Sequence, residues 1–161
     1  MWMPLETIVY EEGALSRRLD VELAEDATFL AVEPMVFGRH AMGEVVQSVS
    51  VHDRWSVRQG GKLIHAENFR LGPEWPQSKA TFGSSCAMAT VLLVSPHGKS
   101  LAESLIDVVR SKLGPDDGAS AWNGKLVARL VAKDGFHLRK SLIQVFAACV
   151  GREHLPKTWT F

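Results

Sequence analysis

The sequence has 161 residues, of which 46% are hydrophobic and 22% are charged. This length suits a single domain spanning residues 1–161, and the composition excludes disordered, collagen-like and coiled-coil classes. The 18 basic and 18 acidic side chains give a formal net charge of +0. A balanced charge gives no reason to expect nucleic acid as a partner, because nucleic-acid binding usually needs a basic face.

The first residues, the apolar runs and the cysteines indicate the cellular compartment of the protein. The first residues, Met1 to Glu6, lack the basic segment and the following apolar segment of a secretory signal. The longest apolar run, residues 88 to 94, is too short to cross a bilayer. Cys86 and Cys149 are far apart and have apolar neighbours, which favours buried, reduced thiols, with a disulfide as the alternative. We therefore expect a cytoplasmic protein without a membrane segment.

Alternating and continuous apolar runs in the first half of the chain predict strands. These runs cover residues 15–23, 29–32, 45–51 and 54–58. Gly60 and Gly61 then lie between two alternating runs and predict a tight hairpin. The strand over residues 62–71 should return antiparallel to the strand before the hairpin.

The second half combines strands with two predicted helices. The strands cover residues 87–95 and 126–133. Ser100 and Glu103 have the spacing of a capping box, and the helix that they start should stop at Gly114. A second helix should run from about Asp134 to Gly151. Six or seven strands with two late helices predict an α+β, mostly β fold, in antiparallel sheets with hairpins.

No common catalytic motif is present in the sequence. It contains no phosphate-binding loop, dinucleotide-binding glycine pattern, paired-cysteine motif or zinc-protease helix. No two of the six histidines are spaced by two or four residues, so local sequence predicts no preformed metal site. Ser85 and Cys86 lack the glycine-flanked elbow of a hydrolase nucleophile, and Cys86 is better explained as a buried apolar residue. We predict no catalytic residue and no tightly bound cofactor.

Three acidic residues lie next to apolar strands. Glu6 precedes the run Thr-Ile-Val-Tyr, Glu33 lies between a valine and a proline, and Glu44 ends a glycine-containing loop. A buried carboxylate must be paired, protonated or internally solvated, because an unpaired buried charge costs several kcal/mol. For each residue alone, a structural ion pair is the favoured explanation, and Arg39 is a candidate partner.

Two segments carry a family resemblance. Residues 5 to 8 read Leu-Glu-Thr-Ile, and residues 31 to 44 read Ala-Val-Glu-Pro-Met-Val-Phe-Gly-Arg-His-Ala-Met-Gly-Glu. They resemble the C-terminal part of the UreD (UreH) family of urease accessory proteins, where Pro-Gln-Glu-Thr-Ile precedes a Phe-Gly-Arg-x-Ala-Met-Gly-Glu loop. The likeness runs in order from Met3 to Trp159. Residues 37 to 44 are its most specific part.

The resemblance is incomplete at one end. UreD-family proteins carry further strands before the Glu-Thr-Ile segment, so this chain resembles a fragment, an internal start or a natural short form. Sheets that lack those strands would have unpaired edges, and we expect possible self-association.

The resemblance implies a scaffold for inserting nickel into apo-urease, acting with UreF, the GTPase UreG and the urease structural subunits, and not an enzyme. Its fold would be an incomplete UreD-type β fold, and Ni²⁺ would be bound only transiently. Imidazole and carboxylate bind nickel, so Glu6, Glu44 and His40 are candidates for a nickel path, with Arg39 and Glu33 in orienting or structural roles. The alternatives are a β-rich interaction module without a metal role and a motif-free hydrolase.

Overall fold

The computed structural model describes residues 1–39, 42–76, 78 and 81–160. Within these residues it contains two β-sheets, three α-helices and two short 3₁₀-helices, Arg152–His154 and Lys157–Trp159. The elements are β1 (Thr7–Val9), β2 (Ala14–Leu23), β3 (Phe29–Phe37), β4 (Ser50–Gln59), β5 (Lys62–Leu71), β6 (Ala87–Val94), α1 (Leu101–Ser104), α2 (Ile106–Arg110), β7 (Gly118–Trp122), β8 (Lys125–Ala132) and α3 (Gly135–Val150). The predicted α+β, mostly β class is confirmed.

The two sheets contain both parallel and antiparallel pairs. The five-stranded sheet has the order β1-β3-β6-β8-β7, and the three-stranded sheet has the order β2-β4-β5. The β1–β3 and β2–β4 pairs are parallel, and the remaining pairs are antiparallel. The first four strands alternate between the two sheets along the chain. A crossover therefore separates β1 from β3 and β2 from β4, and the two strands of each of these pairs run in the same direction.

The predicted hairpin joins β4 and β5. Gln59 pairs with Lys62 across the turn, and Gly60 and Gly61 have φ angles of 56° and 75°. Positive φ is accessible to glycine without steric cost, which explains the two glycines here. β4 is one continuous strand, so the predicted interruption at residues 52–53 is wrong, and residues 45–49 precede the strand.

The first predicted helix is divided into α1 and α2, and its predicted capping box is wrong. The Ser100 side chain makes no cap hydrogen bond. Instead, the Ser95 hydroxyl accepts a hydrogen bond from the Ala102 backbone N–H at 2.7 Å. Glu103 accepts from the Gly124 backbone N–H at 2.7 Å, so its carboxylate holds the β7–β8 turn.

Helix α3 begins and ends where the sequence predicts. Asp134 accepts a hydrogen bond from the His137 backbone N–H at 2.8 Å and caps the first turn. Gly151 ends the helix with a φ angle of 83°. No helix in the described part of the chain is long and apolar enough to span a membrane.

Three apolar clusters form the core. One lies between the five-stranded sheet and the helices, where Phe146 and Trp159 pack edge to face with centroids 5.0 Å apart. The other two lie between the sheets, one around Phe37 and one around Trp55. Cys86 and Cys149 are both buried and free, so the alternative of a disulfide is excluded.

Candidate functional site

A row of polar side chains separates the two apolar clusters between the sheets. On β3, Glu33 lies between Ala31 of one cluster and Met35 of the other. On β4, Asp53 lies in the same way between Val51 and Trp55. We call this row the polar layer, and its members are Arg17, Glu33, Asp53, His65, Glu67, Thr90 and Arg129.

One end of the polar layer is a three-charge cluster around Arg17. Its guanidinium donates to Asp53 from Nε at 3.2 Å and from NH2 at 2.8 Å. The NH1 nitrogen lies 2.7 Å from Glu33 Oε2 and donates to Thr7 Oγ1 at 3.2 Å. Glu33 and Asp53 are only 3% and 4% exposed. One cation therefore serves two buried carboxylates.

Glu33 is the carboxyl of this cluster whose ionisation is hindered by burial. Burial raises its pKa above the ordinary value, and the Trp2 hydrogen bond and the Arg17 charge offset only part of that rise. Trp2 Nε1 donates to Glu33 Oε1 at 2.7 Å. The negative charge of Asp53 raises the pKa further. A cation approaching Glu33 would favour the ionised form.

The other end of the layer lies around Glu67. Arg129 donates to Glu67 Oε1 at 2.7 Å, and His65 Nε2 lies 3.6 Å from Glu67 Oε2, beyond hydrogen-bond distance. His65 is 8% exposed, and its Nε2 has no hydrogen-bond partner among the described residues. Burial raises the pKa of Glu67, but the neighbouring His65 and Arg129 outweigh it, so the pKa is lowered.

The two ends are connected through the five-stranded sheet. Thr90 of β6 is in register with Glu33 of β3 on one side and with Arg129 of β8 on the other. Side chains directly opposite each other in a sheet have Cβ atoms about 5 Å apart. The row is therefore continuous across these three strands. Its three carboxylates and two guanidinium groups leave one negative charge when all are ionised (2 − 3 = −1).

Glu6, a predicted site residue, lies outside the polar layer and pairs with helix α3. Arg139 donates to its carboxylate from Nε at 2.7 Å and also from NH2. Burial alone would raise the pKa of Glu6, but the hydrogen bonds and the charge of Arg139 lower it. The Arg139 guanidinium also lies over the Trp159 ring, 5.4 Å from its centroid. The expectation that Arg39 would pair with Glu6 is wrong.

Glu44, the second predicted carboxylate, folds back onto its own loop. Its Oε2 accepts from the Arg39 backbone N–H at 2.7 Å and from Arg39 Nε at 3.0 Å, and Oε1 accepts from the Glu11 N–H at 3.2 Å. The Arg39 hydrogen bonds lower the pKa of Glu44 to about 2. Arg39 is thus the partner of Glu44. His40 lies outside the described residues.

Sequence reasoning found Glu33 but missed most of the layer. A signal for Arg17 exists in the sequence. The apolar side of the first long strand reads Leu15, Arg17, Leu19, Val21, so a charged residue stands where an inward apolar one is expected. Such an intrusion predicts a buried ion pair or a functional group.

The geometry around Cys86 does not favour a nucleophile. Its thiol donates to the Lys133 carbonyl at 2.8 Å. Burial, with a further contribution from the Asp134 charge, raises the pKa of the thiol to about 11. Cysteine nucleophiles react as thiolates, which such a pKa disfavours. Within the described residues, no three His, Cys, Asp or Glu side chains are grouped to hold a metal ion.

Comparison with known proteins decides the family. The family model for the UreD urease accessory protein matches residues 1–160. The chain belongs to the UreD family. Similar proteins named "Urease accessory protein UreD" occur in Mesorhizobium japonicum, 48% identical over 99% of this chain, and in Rhizobium leguminosarum bv. viciae, 46% identical over 98%. "Urease accessory protein UreD 1" of Brucella abortus biovar 1 is 47% identical over 99%.

The resemblance seen in the sequence is therefore confirmed. The matched region is 58% of each of these three UreD-family proteins. The chain thus spans less than two thirds of their length.

Proposed function

We propose that this chain acts in urease maturation as part of a UreD-type accessory protein in the cytoplasm. Its partners would be UreF, the GTPase UreG and the urease structural subunits, and Ni²⁺ would be the ion passed to apo-urease. Family membership supports the role in maturation. The observation that supports the nickel role is the polar layer, whose carboxylates lie between two apolar clusters of the core.

The chemistry of the layer suits a weakly held divalent cation. Carboxylate and imidazole groups bind nickel, and the layer supplies Glu33, Asp53, Glu67 and His65, whose Nε2 has no hydrogen-bond partner in the part of the chain that the structure describes. Arg17 and Arg129 compete with a cation for the same oxygens. Such competition weakens binding at each position, and weak successive positions let an ion leave as well as enter.

Glu6, Glu44 and His40 stay proposed as ligands of the same nickel path. A nickel ion would have to compete with Arg139 for Glu6 and with Arg39 for Glu44. Both pairs are charge-assisted hydrogen bonds, which are about twice as strong as neutral ones. We place the polar layer first in the proposed path because it is more deeply buried: the side chains of Glu33 and Glu67 are 2% and 7% exposed, against 14% for Glu6 and for Glu44.

The test is nickel loading in a full-length UreD-family protein that contains this sequence. Glu33→Gln and Glu67→Gln keep side-chain size and one acceptor oxygen but remove the negative charge. We expect less nickel per urease active site and less urease activity, with normal recovery of the complex with UreF, UreG and urease. Glu6→Gln with Glu44→Gln should lower nickel less. Asp26→Asn, at an exposed position, is the control for a lost carboxylate.

The same measurement separates the alternative functions. An interaction module without a metal role would keep normal nickel loading in both polar-layer variants while the complex assembles. That result would refute the nickel role of the layer and leave the assembly role standing. Loss of the complex itself would show that the carboxylates are needed for the fold rather than for the ion.

A further inference from the structure

A wide groove lies where the larger sheet extends beyond the smaller one. It has a volume of about 970 Å³ and is bounded on one side by residues 63–70 of β5. The other side is the face of β7 and β8, which includes Gly118, Trp122 and Val127. We call it the β5 groove. In the described part of the chain, β5 pairs only with β4, so its other edge faces this space.

One backbone group of β5 is already hydrogen-bonded by a side chain from the other sheet. The Ile64 carbonyl, at the irregularity in the β4–β5 register, accepts a hydrogen bond from the Lys125 ammonium group. Lys125 also lies over the Trp122 ring, 4.9 Å from its centroid. Edge strands present unpaired N–H and C=O groups that can template a further strand. An extended segment in the groove could pair with β5 beyond Ile64.

The side chains of the groove indicate the charge of its ligand. The ionisable groups that line it are the cations Arg70, Lys125 and Arg129 and the anion Glu67, a balance of +2 (3 − 1). His65, which is 8% exposed and has an Nε2 without a hydrogen-bond partner among the described residues, also lines it. Burial lowers the pKa of Lys125, and a nearby carboxylate would relieve that cost.

We propose that the β5 groove binds an extended acidic segment of a partner protein, which adds to β5 as a fourth strand. Pairing with the edge supplies main-chain hydrogen bonds, and the cationic lining selects carboxylates. The eight β5 residues that line the groove correspond to a strand of about 25 Å at ~3.4 Å per residue. The bound segment would cover the His65, Glu67 and Arg129 end of the polar layer. This interaction needs no nickel and does not rest on the proposed function.

The test uses the purified chain and a fluorescein-labelled eight-residue peptide in which glutamate and valine alternate. Binding is measured by fluorescence anisotropy with EDTA present. A peptide with lysine in place of glutamate tests charge, and one with two central prolines tests main-chain pairing, because proline lacks the N–H donor. We expect the acidic peptide to bind and both comparison peptides to bind at least about tenfold more weakly, equal to ~1.4 kcal/mol.

Two variants of the chain locate the binding site. A Cβ at Gly118 meets no atom of the described residues within 4 Å, so the groove has room for a side chain at this position, and Gly118→Phe should occupy it. It should weaken binding of the acidic peptide at least about tenfold. Arg70→Gln should weaken it, whereas Lys112→Gln, an exposed cation outside the groove, should not.

Three results would overturn the proposal. The first is no binding of the acidic peptide, and the second is equal binding of the three peptides. The third is an unchanged affinity in Gly118→Phe, with circular dichroism confirming that the variant is folded. If Gly118→Phe instead converts a dimer of the chain into a monomer without changing peptide affinity, the occupant is a second copy and the acidic-segment proposal is wrong.

Discussion

Arg17 and Asp53 lie opposite each other in the parallel register of β2 and β4, and two hydrogen bonds of 3.2 and 2.8 Å join them. The same guanidinium lies 2.7 Å from Glu33 on the facing sheet. Arg17 therefore links the two sheets through charge, at the point where the apolar core between them is interrupted. Its removal would leave two buried carboxylates without their cation.

The first prediction concerns the stability of this cluster. Arg17→Ala should lower the free energy of unfolding by about 3 to 5 kcal/mol, because breaking a buried pair leaves uncompensated charge. Urea unfolding at pH 7 measures this change. Arg18→Ala is the matched control on the next residue, since the Arg18–Asp20 pair is exposed and worth about 0 to 1 kcal/mol. Equal losses in the two variants would contradict the central role of Arg17.

The second prediction concerns the pH dependence contributed by Glu33. Its pKa in the folded state lies above the ordinary value of 4.5, so the folded protein holds this proton more tightly than the unfolded chain does. The stabilisation from that proton is complete below pH 4.5 and is lost as the pH rises through the raised pKa. Relative to Glu33→Gln, which does not titrate, the wild-type chain should lose stability as the pH rises above 4.5.

Urea unfolding of both proteins at a series of pH values from 4.5 upward checks this slope. The comparison depends on the change with pH, so a constant offset from the amide does not matter. A stability difference that stays constant, or one that favours the wild-type chain more at higher pH, would contradict a raised pKa for Glu33.

The third prediction concerns Glu44, whose contribution to stability changes with pH in the opposite direction to that of Glu33. Its pKa is lowered from 4.5 to about 2 by hydrogen bonds from Arg39. The stabilisation from its ionised form is therefore present above pH 4.5 and is lost as the pH falls towards 2. Melting temperatures of the wild-type chain and of Glu44→Gln should differ at neutral pH and converge in acid. Curves that stay parallel would show that the Arg39 pair does not affect stability.

The fourth prediction concerns the packing of the C-terminal segment. Trp159 is 1% exposed, packs against Phe146 and donates from Nε1 to the Met3 carbonyl at 3.0 Å. Trp159→Ala should cost about 3 to 5 kcal/mol, as large-to-small changes in a core do. Trp122→Ala, at a side chain 43% exposed, should cost clearly less in the same urea experiment. Similar costs would show that the segment after α3 is loosely docked.

Local sequence patterns predicted most elements of this fold but, apart from the hairpin, not how the strands pair. The β4–β5 hairpin and α3 were predicted because glycine turns, an acidic cap and periodic apolar residues are local signals. The parallel β2–β4 pair was not predicted, because the residue pattern within a strand does not show which distant strand it pairs with. Strand β7, Gly-Ala-Ser-Ala-Trp, also escaped prediction. Its small residues have weak strand propensity.

In the site, likewise, the sequence predicted an ion pair between residues close in the chain but not the pairs between distant residues. The Arg39–Glu44 pair joins residues five positions apart, and the sequence made it a reasonable expectation. The partner of Glu6 is Arg139, which is 133 residues away. Glu67 meets Arg129 across 62 residues. Such pairs depend on the packing of whole elements, which the spacing of residues does not encode. The inward position of Arg17 was visible in the strand pattern, but its two carboxylate partners were not.

The last prediction concerns the ion pair between Glu6 and Arg139, which attaches the segment before β1 to helix α3. The two side chains are 14% and 23% exposed, so the pair is largely shielded from water, and two hydrogen bonds join it. Glu6→Gln and Arg139→Gln should each destabilise the chain, because each leaves a partly buried charge unpaired. The double variant should cost less than the sum of the two single variants, since the second change removes the charge that the first left unpaired. A double-mutant cycle by urea unfolding should give a coupling energy of about 1 to 3 kcal/mol. The Arg139 guanidinium also covers Trp159, so packing lost with the arginine enters both arms of the cycle and cancels. A coupling energy near zero would contradict a stabilising ion pair between Glu6 and Arg139.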